Sequence, residues 1–70
     1  MMSSAITVKN MRNKLCLQQG EFAEKIGVTK SAVCNYEKGR ATPSRPVIRE
    51  LLRIARENNI DISVEDFLKE

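Results

Sequence analysis

Residues 19–38 read QGEFAEKIGVTKSAVCNYEK, and this stretch decides the fold. Its apolar residues recur at helical spacing on both sides of Gly27. A glycine just past a helix end commonly takes the left-handed conformation that closes the last turn, and Thr29 is a natural N-cap for a second helix. The positions that suit two short helices crossing at a tight turn are Phe22, Ala23, Ile26, Gly27, Val28, Val33 and Tyr36. The stretch therefore predicts a helix from residue 18 or 19 to residue 26 and another over about residues 30–38. A generic helical hairpin that contains a glycine is the plainer alternative.

The flanking residues also predict short helices, over about residues 4–15, 46–58 and 64–69, which makes five in all. Pro46 is preorganised for the first helical position. The predicted apolar face of the fourth helix consists of Val47, Ile48, Leu51, Leu52 and Ala55. The last helix is expected to start after Ser63, with Asp66 at the capping-box position, and to fold Phe67 and Leu68 back onto the core. The expected fold is all-α, with one domain over residues 1–70.

Composition argues against catalysis and against a metal site. The chain has 70 residues, two cysteines and no histidine. Two thiols without further ligands do not form a structural zinc site, and histidine is the usual general base near neutral pH. No phosphate-binding loop, nucleophile motif, signal peptide or membrane-spanning run occurs in the sequence. We therefore expect a cytoplasmic protein that is not an enzyme and has no cofactor, no small-molecule ligand and no membrane partner.

Charge is distributed unevenly along the chain. Residues 28–53 contain six basic and two acidic side chains, a net charge of +4, whereas residues 54–70 contain two basic and five acidic ones, a net charge of −3. A basic middle suits a polyanionic partner, and an acidic tail should point away from it. Ordinary solvated charge is the alternative interpretation.

The chain resembles the phage repressor and Cro type of helix-turn-helix domain, an XRE-like family. The matching residues are 19–29, Val33, 36–40 and Pro43, and the resemblance covers about residues 4–58 well. Gly20 departs from the pattern, because the family usually has an acidic or polar residue there, and this change should loosen the first turn. The resemblance implies a lambda-repressor-like, five-helix fold that binds double-stranded DNA.

The helix over residues 30–38 is expected to have two different faces. At 100° per residue, Ala32, Val33 and Tyr36 fall on one side, and the opposite arc contains Lys30, Ser31, Cys34, Asn35 and Lys38. By the resemblance, Lys30, Ser31 and Asn35 occupy base-contacting positions. Lys30 can donate to guanine, and Asn35 can pair with adenine in a bidentate contact, each with a discrimination of about 1–3 kcal/mol. A solvated helix face is the alternative.

Other residues are expected to contact phosphates or to hold the fold. Gln19 opens a helix, where backbone amides and the helix dipole favour an anion. The full set of candidate phosphate contacts is Gln19, Lys38, Arg40, Thr42 and Arg45, which would set register without reading sequence. The resemblance implies that Arg12 and Glu37 form an internal, structural ion pair.

Two further features carry competing interpretations. The fourth predicted helix has an arginine stripe, Arg45, Arg49, Arg53 and Arg56. The stripe is either a second nucleic-acid surface or a solvated face in which Arg53 pairs with Glu57, and Arg45 is the member expected to contact phosphate. Cys34 is either a tolerated small residue or a redox-sensitive contact.

The predicted function is that of a repressor that binds an inverted-repeat operator as a homodimer, with residues 59–70 as a possible dimer contact. One alternative is an antitoxin or controller-type module that acts through a protein partner, for which Ile60, Ile62 and Val64 offer an apolar surface. Non-specific nucleic-acid binding is the other alternative, which the modest net charge of +3 disfavours.

Overall fold

A computed structural model describes residues 4–63 and 65–68 of the chain, without the side chains of Asp66 and Leu68. Within these residues the backbone forms four helices, α1 (Ser4–Lys14), α2 (Gln19–Ile26), α3 (Lys30–Glu37) and α4 (Arg45–Glu57), and no strand. A single helical turn, Glu65–Leu68, follows and is called here the C-terminal turn. The all-α prediction is therefore confirmed.

The prediction of five helices is not confirmed. Four residues complete only about one turn, and the first turn of a helix is unfavourable because several dihedral angles are fixed for one hydrogen bond. The C-terminal turn depends instead on Phe67, whose side chain is fully buried, as predicted. The predicted helix boundaries at Val64 and Lys69, and the side chains of Asp66 and Leu68, lie outside the described residues.

The turn between α2 and α3 has the predicted geometry. Gly27 adopts a left-handed conformation with φ of 78°, and the backbone N–H of Val28 donates to the Ala23 carbonyl at 2.9 Å. Thr29 has an extended backbone, and its Oγ1 accepts a hydrogen bond from the Ala32 N–H at 3.1 Å. Local hydrogen bonds close the C-terminal end of α2 and the N-terminal end of α3. The conformation of the turn between these helices is therefore fixed by its own residues.

The core lies where the helices meet. α3 packs against α1 and α2, α4 packs against α2, and the C-terminal turn packs against α1. The buried apolar residues are Val8, Met11, Phe22, Ala23, Ile26, Val33, Tyr36, Ile48, Leu51, Ile54, Ala55 and Phe67. The predicted apolar face of α4 omitted Ile54, which is buried, whereas Val47 and Leu52 are only half-buried. The buried arc of α4 is thus shifted toward Ile54 relative to the predicted face.

The start of α4 differs from the prediction by one residue. Arg45 is the first helical residue and Pro46 the second, after Ser44, whose carbonyl accepts the Ile48 N–H at 2.8 Å. Proline has no cost there, because the first four N–H groups of a helix have no partner within the helix. Among residues 4–63 and 65–68, no helix has the length and apolar character needed to cross a bilayer.

Candidate nucleic-acid interface

The outer face of α3 is the centre of the candidate interface. Val33 and Tyr36 are buried and hold the helix against the core. Lys30 and Ser31 are exposed on the other side, and Asn35 is half-buried beside them. The three residues predicted to contact bases are therefore on one solvent-facing surface, supported from behind by apolar packing.

The loop after α3 folds back onto that helix. Gly39 has a left-handed backbone with φ of 75°, which turns the chain. The backbone N–H groups of Arg40 and Ala41 then both donate to the Asn35 carbonyl, at 2.9 and 3.3 Å. The loop is consequently attached to the residue in α3 that is expected to read a base.

The candidate phosphate contacts around this loop are exposed: Lys38, Arg40, Thr42 and Arg45. Within residues 4–63 and 65–68, none of the three cations among them has an ion-pair partner, and neither has Lys30. Unpaired cations of this kind are available to contact an anionic partner.

A polar cluster of Arg12, Gln19 and Glu37 connects three helices beneath this surface. Arg12 Nε lies 2.6 Å from Glu37 Oε2, and Arg12 Nη2 lies 3.1 Å from Oε1, so the pair is bidentate. Arg12 Nη1 also donates to the Leu17 carbonyl at 3.0 Å. Only 15% of the Arg12 side chain and 7% of the Glu37 side chain are exposed. The two residues predicted to pair through the resemblance are thus in contact, across 25 positions of sequence.

The cluster changes the acidity of its members. Burial by itself would raise the pKa of Glu37, but hydrogen bonds from Arg12 and Gln19 and the positive charges of Arg12 and Lys9 lower that pKa overall. The hydrogen bond to Glu37 raises the pKa of Arg12 against the effect of burial. Both side chains are therefore held in their charged forms.

Gln19 belongs to this cluster, which the sequence pattern did not indicate. Its Nε2 donates to Glu37 Oε1 at 3.1 Å, which fixes the orientation of the amide. A primary amide has a second N–H and an oxygen, so the internal bond leaves one donor for a phosphate. The start of α2 is also capped in a way the sequence did not reveal, because the Gln18 backbone N–H donates to Glu21 Oε1 at 2.9 Å.

An open pocket of about 370 Å³ lies beside the cluster. Its lining residues are Arg12, Gln18, Gln19, Gly20 and Lys30. It brings Gln19, a candidate phosphate contact, next to Lys30, a candidate base contact. Gly20 lines this pocket, and a Cβ atom at that position would meet nothing within 4 Å.

The comparison with known families agrees with this geometry. A model of the helix-turn-helix family matches residues 8–64. The chain belongs to this XRE-like helix-turn-helix family. A relative from Methanothermobacter thermautotrophicus, named an uncharacterized HTH-type transcriptional regulator, is 37% identical over 60 residues, which cover 84% of this chain and 87% of the relative. No solved structure is a significant match. Family membership supports DNA-binding transcriptional regulation rather than catalysis.

The arginine stripe of this helix-turn-helix protein is divided. Arg53 donates from Nη2 to Glu50 Oε1 at 2.7 Å and from Nη1 to Glu57 Oε2 at 2.9 Å. The predicted Arg53–Glu57 pair is therefore present, and Glu50 adds a second partner. In the described part of the chain, Arg45, Arg49 and Arg56 have no such partner.

The remaining candidate features are less accessible than expected. Ile60 and Ile62 are half-buried and pack against the core, so they do not form a freely exposed apolar ridge. Val64 lies outside the described residues.

Cys34 is a half-buried free thiol on the α3 face. Among the residues that the structure describes, no group of three or more His, Cys, Asp or Glu side chains is placed to hold a metal ion.

Proposed function

We propose that this protein is a sequence-specific regulator of transcription that represses by binding an inverted-repeat operator as a homodimer. The observation that carries the proposal is the outer face of α3, where Lys30, Ser31 and Asn35 lie on a surface backed by buried Val33 and Tyr36. A helix supported in this way can enter the major groove, where each base pair presents a distinct pattern of donors and acceptors. We propose that residues 1–70 act as one DNA-binding unit.

The three α3 residues have different roles in base recognition. Lys30 at the start of α3 suits guanine, whose O6 and N7 accept hydrogen bonds, and Asn35 suits adenine through its amide. Ser31 is short and discriminates weakly. The backbone of Asn35 is held in place, because its carbonyl accepts hydrogen bonds from two N–H groups of the following loop.

Phosphate contacts come from both ends of the motif. Gln19 stands at the start of α2, with its amide oriented by Glu37, and Lys38, Arg40, Thr42 and Arg45 surround the loop after α3. These contacts fix the register of α3 on the duplex and carry no sequence information directly. The Arg12–Glu37 pair contributes by holding α1 against α3.

The proposed dimer surface lies at the end of α4 and in the residues that follow it. An open pocket of about 330 Å³ is lined there by Leu52, Ala55, Arg56, Ile60, Ile62 and Ser63. A two-fold dimer places the same patch of each subunit against the other, and such a dimer reads half-sites about one helical turn, or ~10 bp, apart. The acidic residues 54–70 would then lie away from the phosphates.

Selection from a random DNA library at physiological salt tests the proposal. We expect enrichment of an inverted repeat with fixed spacing. Lys30→Ala should weaken binding to the selected site by about 1–3 kcal/mol and relax the preference at one base of each half-site. The matched control is Arg53→Gln, which changes a cation that is already paired within α4 and should keep the selected sequence unchanged. A folded protein that enriches no sequence would contradict the proposal.

Repression is tested separately by footprinting and a reporter placed behind the selected site. We expect protection that overlaps the promoter and lower transcription when the protein is present. A site well upstream, with transcription that rises, would show activation instead.

A protein-directed role as an antitoxin or controller module is the second candidate. The pocket beside Ile60 and Ile62 favours it, because partly buried apolar side chains there can accept a partner's side chain. The two roles separate by experiment, since Lys30→Ala should weaken regulation only if DNA is the main partner.

A further inference from the structure

The arginines of α4 differ in their surroundings although they share one side of the helix. Arg53 is held by Glu50 through Nε at 3.1 Å and Nη2 at 2.7 Å, and by Glu57 through Nη1 at 2.9 Å. Arg49 is exposed and, within residues 4–63 and 65–68, has no ion-pair or hydrogen-bond partner for its side chain. Arg45 is in the same state.

The positive charge of the first two turns of α4 is therefore uncompensated. Arg45, Arg49 and Arg53 follow one another at intervals of four residues, a spacing at which like charges on a helix repel. Glu50 is adjacent to Arg49 in the sequence, but its carboxylate is engaged by Arg53. The structure thus relieves the repulsion at Arg53 alone and leaves Arg45 and Arg49 as a pair of free cations.

This pair begins where the loop of candidate phosphate contacts ends. The loop from Lys38 to Ser44 is attached to α3 through the Asn35 carbonyl, which accepts the N–H groups of Arg40 and Ala41. α4 begins four residues after Ala41. Arg49 follows Arg45 on the same side of the helix, about 6 Å further along its axis. Since each DNA strand has one phosphate per ~3.4 Å of axis, two cations at this spacing can contact different phosphates.

We infer that Arg49 and Arg45 together form a phosphate-binding segment on α4 that extends the contact with double-stranded DNA beyond the helix-turn-helix and its loop. Arg53, neutralised by Glu50 and Glu57, does not belong to it. This inference rests on the proposed DNA-binding function. It assigns a DNA contact to Arg49, which the family resemblance did not suggest.

The test is the salt dependence of binding to a random-sequence DNA duplex, followed by fluorescence anisotropy at several salt concentrations. The variants are Arg49→Gln, Arg53→Gln as a matched control in the same helix, and Arg49→Lys, which keeps the charge. Each phosphate contact contributes about 0.9 to the slope of log Kobs against log salt. We expect Arg49→Gln to lower the slope by about 0.9 and to weaken binding roughly eightfold near 0.1 M salt. Arg49→Lys and Arg53→Gln should retain the wild-type slope.

Several outcomes would overturn the inference. An unchanged slope in Arg49→Gln shows that Arg49 does not contact phosphate, and an equal decrease in Arg49→Gln and Arg53→Gln shows only a general effect of net charge. In both cases wild-type binding leaves the proposed function intact. If the folded wild-type protein binds neither this duplex nor any selected sequence, the proposed function and this inference both fail. Circular dichroism of each variant checks that a decrease in the slope does not result from a loss of helical structure.

Discussion

The amino-terminal and carboxyl-terminal parts of this molecule share one apolar core but differ in their side-chain polar contacts. In α1–α3, polar side chains distant in sequence bind one another, since Glu37 receives hydrogen bonds from Arg12 and from Gln19. In α4, the side-chain polar contacts among the residues that the structure describes are local, as in the Arg53 cluster and the bond from Asn58 Nδ2 to the Ile54 carbonyl. α4 and the C-terminal turn also contribute buried apolar side chains to the core, among them the fully buried Phe67.

The two kinds of contact have different effects: polar contacts orient helices, and apolar contacts attach a segment to the core. A bidentate ion pair has a directional geometry, so the Arg12–Glu37 pair can set the angle at which α3 and the start of α2 meet the solvent. Apolar burial is non-directional and proportional to area, so Phe67 can attach the C-terminal turn without orienting anything precise. The candidate DNA face lies in the part that is oriented by polar contacts.

The strongest test of the apolar anchor is Phe67→Ala. Removing a fully buried phenyl ring should cost about 3–5 kcal/mol of unfolding free energy, measured by chemical denaturation. The matched control is Ile6→Ala, because the Ile6 side chain is 47% exposed and should contribute far less. If both variants lose the same stability, the C-terminal turn is not anchored in the way described.

Glu37→Gln tests the polar cluster with the next largest effect. The neutral amide strands the charge of Arg12 where it is largely excluded from water, and the expected cost is about 3 kcal/mol, the lower end of the range for breaking a buried pair, since Arg12 keeps some solvent contact. Arg53→Gln, which breaks an exposed cluster, should leave the denaturation midpoint nearly unchanged. Equal effects at the two sites would remove the distinction between the two parts of the molecule.

Acid denaturation sharpens the same comparison. The pKa of Glu37 in the folded protein is below its ordinary value of 4.5, so the folded state favours the ionised form. The stabilisation is fully present above pH 4.5 and is lost as the pH falls through the lower, folded-state pKa. Stability measured from pH 6 downward should therefore fall more steeply in the wild type than in Glu37→Gln. Parallel curves would mean that the carboxylate of Glu37 gains nothing from its partners.

The smallest expected effect is a gain, from Gly20→Ala at the start of α2. A Cβ atom at this position would meet nothing within 4 Å, and the substitution reduces the freedom of the unfolded chain, which should add about 0.4–1 kcal/mol. Thermal unfolding measures the change. A loss of stability would mean that the start of α2 requires glycine at position 20. The small residue that lines the pocket beside Arg12 would then be a requirement of the fold.

Local signals predicted the central motif well. The left-handed Gly27 and the Thr29 cap involve groups within five residues of each other, and the burial of Phe22, Val33 and Tyr36 follows from helical periodicity. The family match over residues 8–64 confirms the resemblance carried by that stretch. The roles of the candidate base and phosphate contacts stay predictions, because they depend on a partner.

What the sequence determined by itself is the position of the turn, the ends of α2 and α3, and the face of α3 that carries Lys30, Ser31 and Asn35. Only the tertiary structure decided that Gln19 bonds to Glu37, 18 residues away, and that Ile54 packs into the core whereas Val47 and Leu52 are only half-buried. The physical reason is the distance along the chain over which each kind of interaction acts. Caps and periodicity act within one or two turns of the chain, whereas these contacts depend on how whole helices are oriented, which no local pattern encodes.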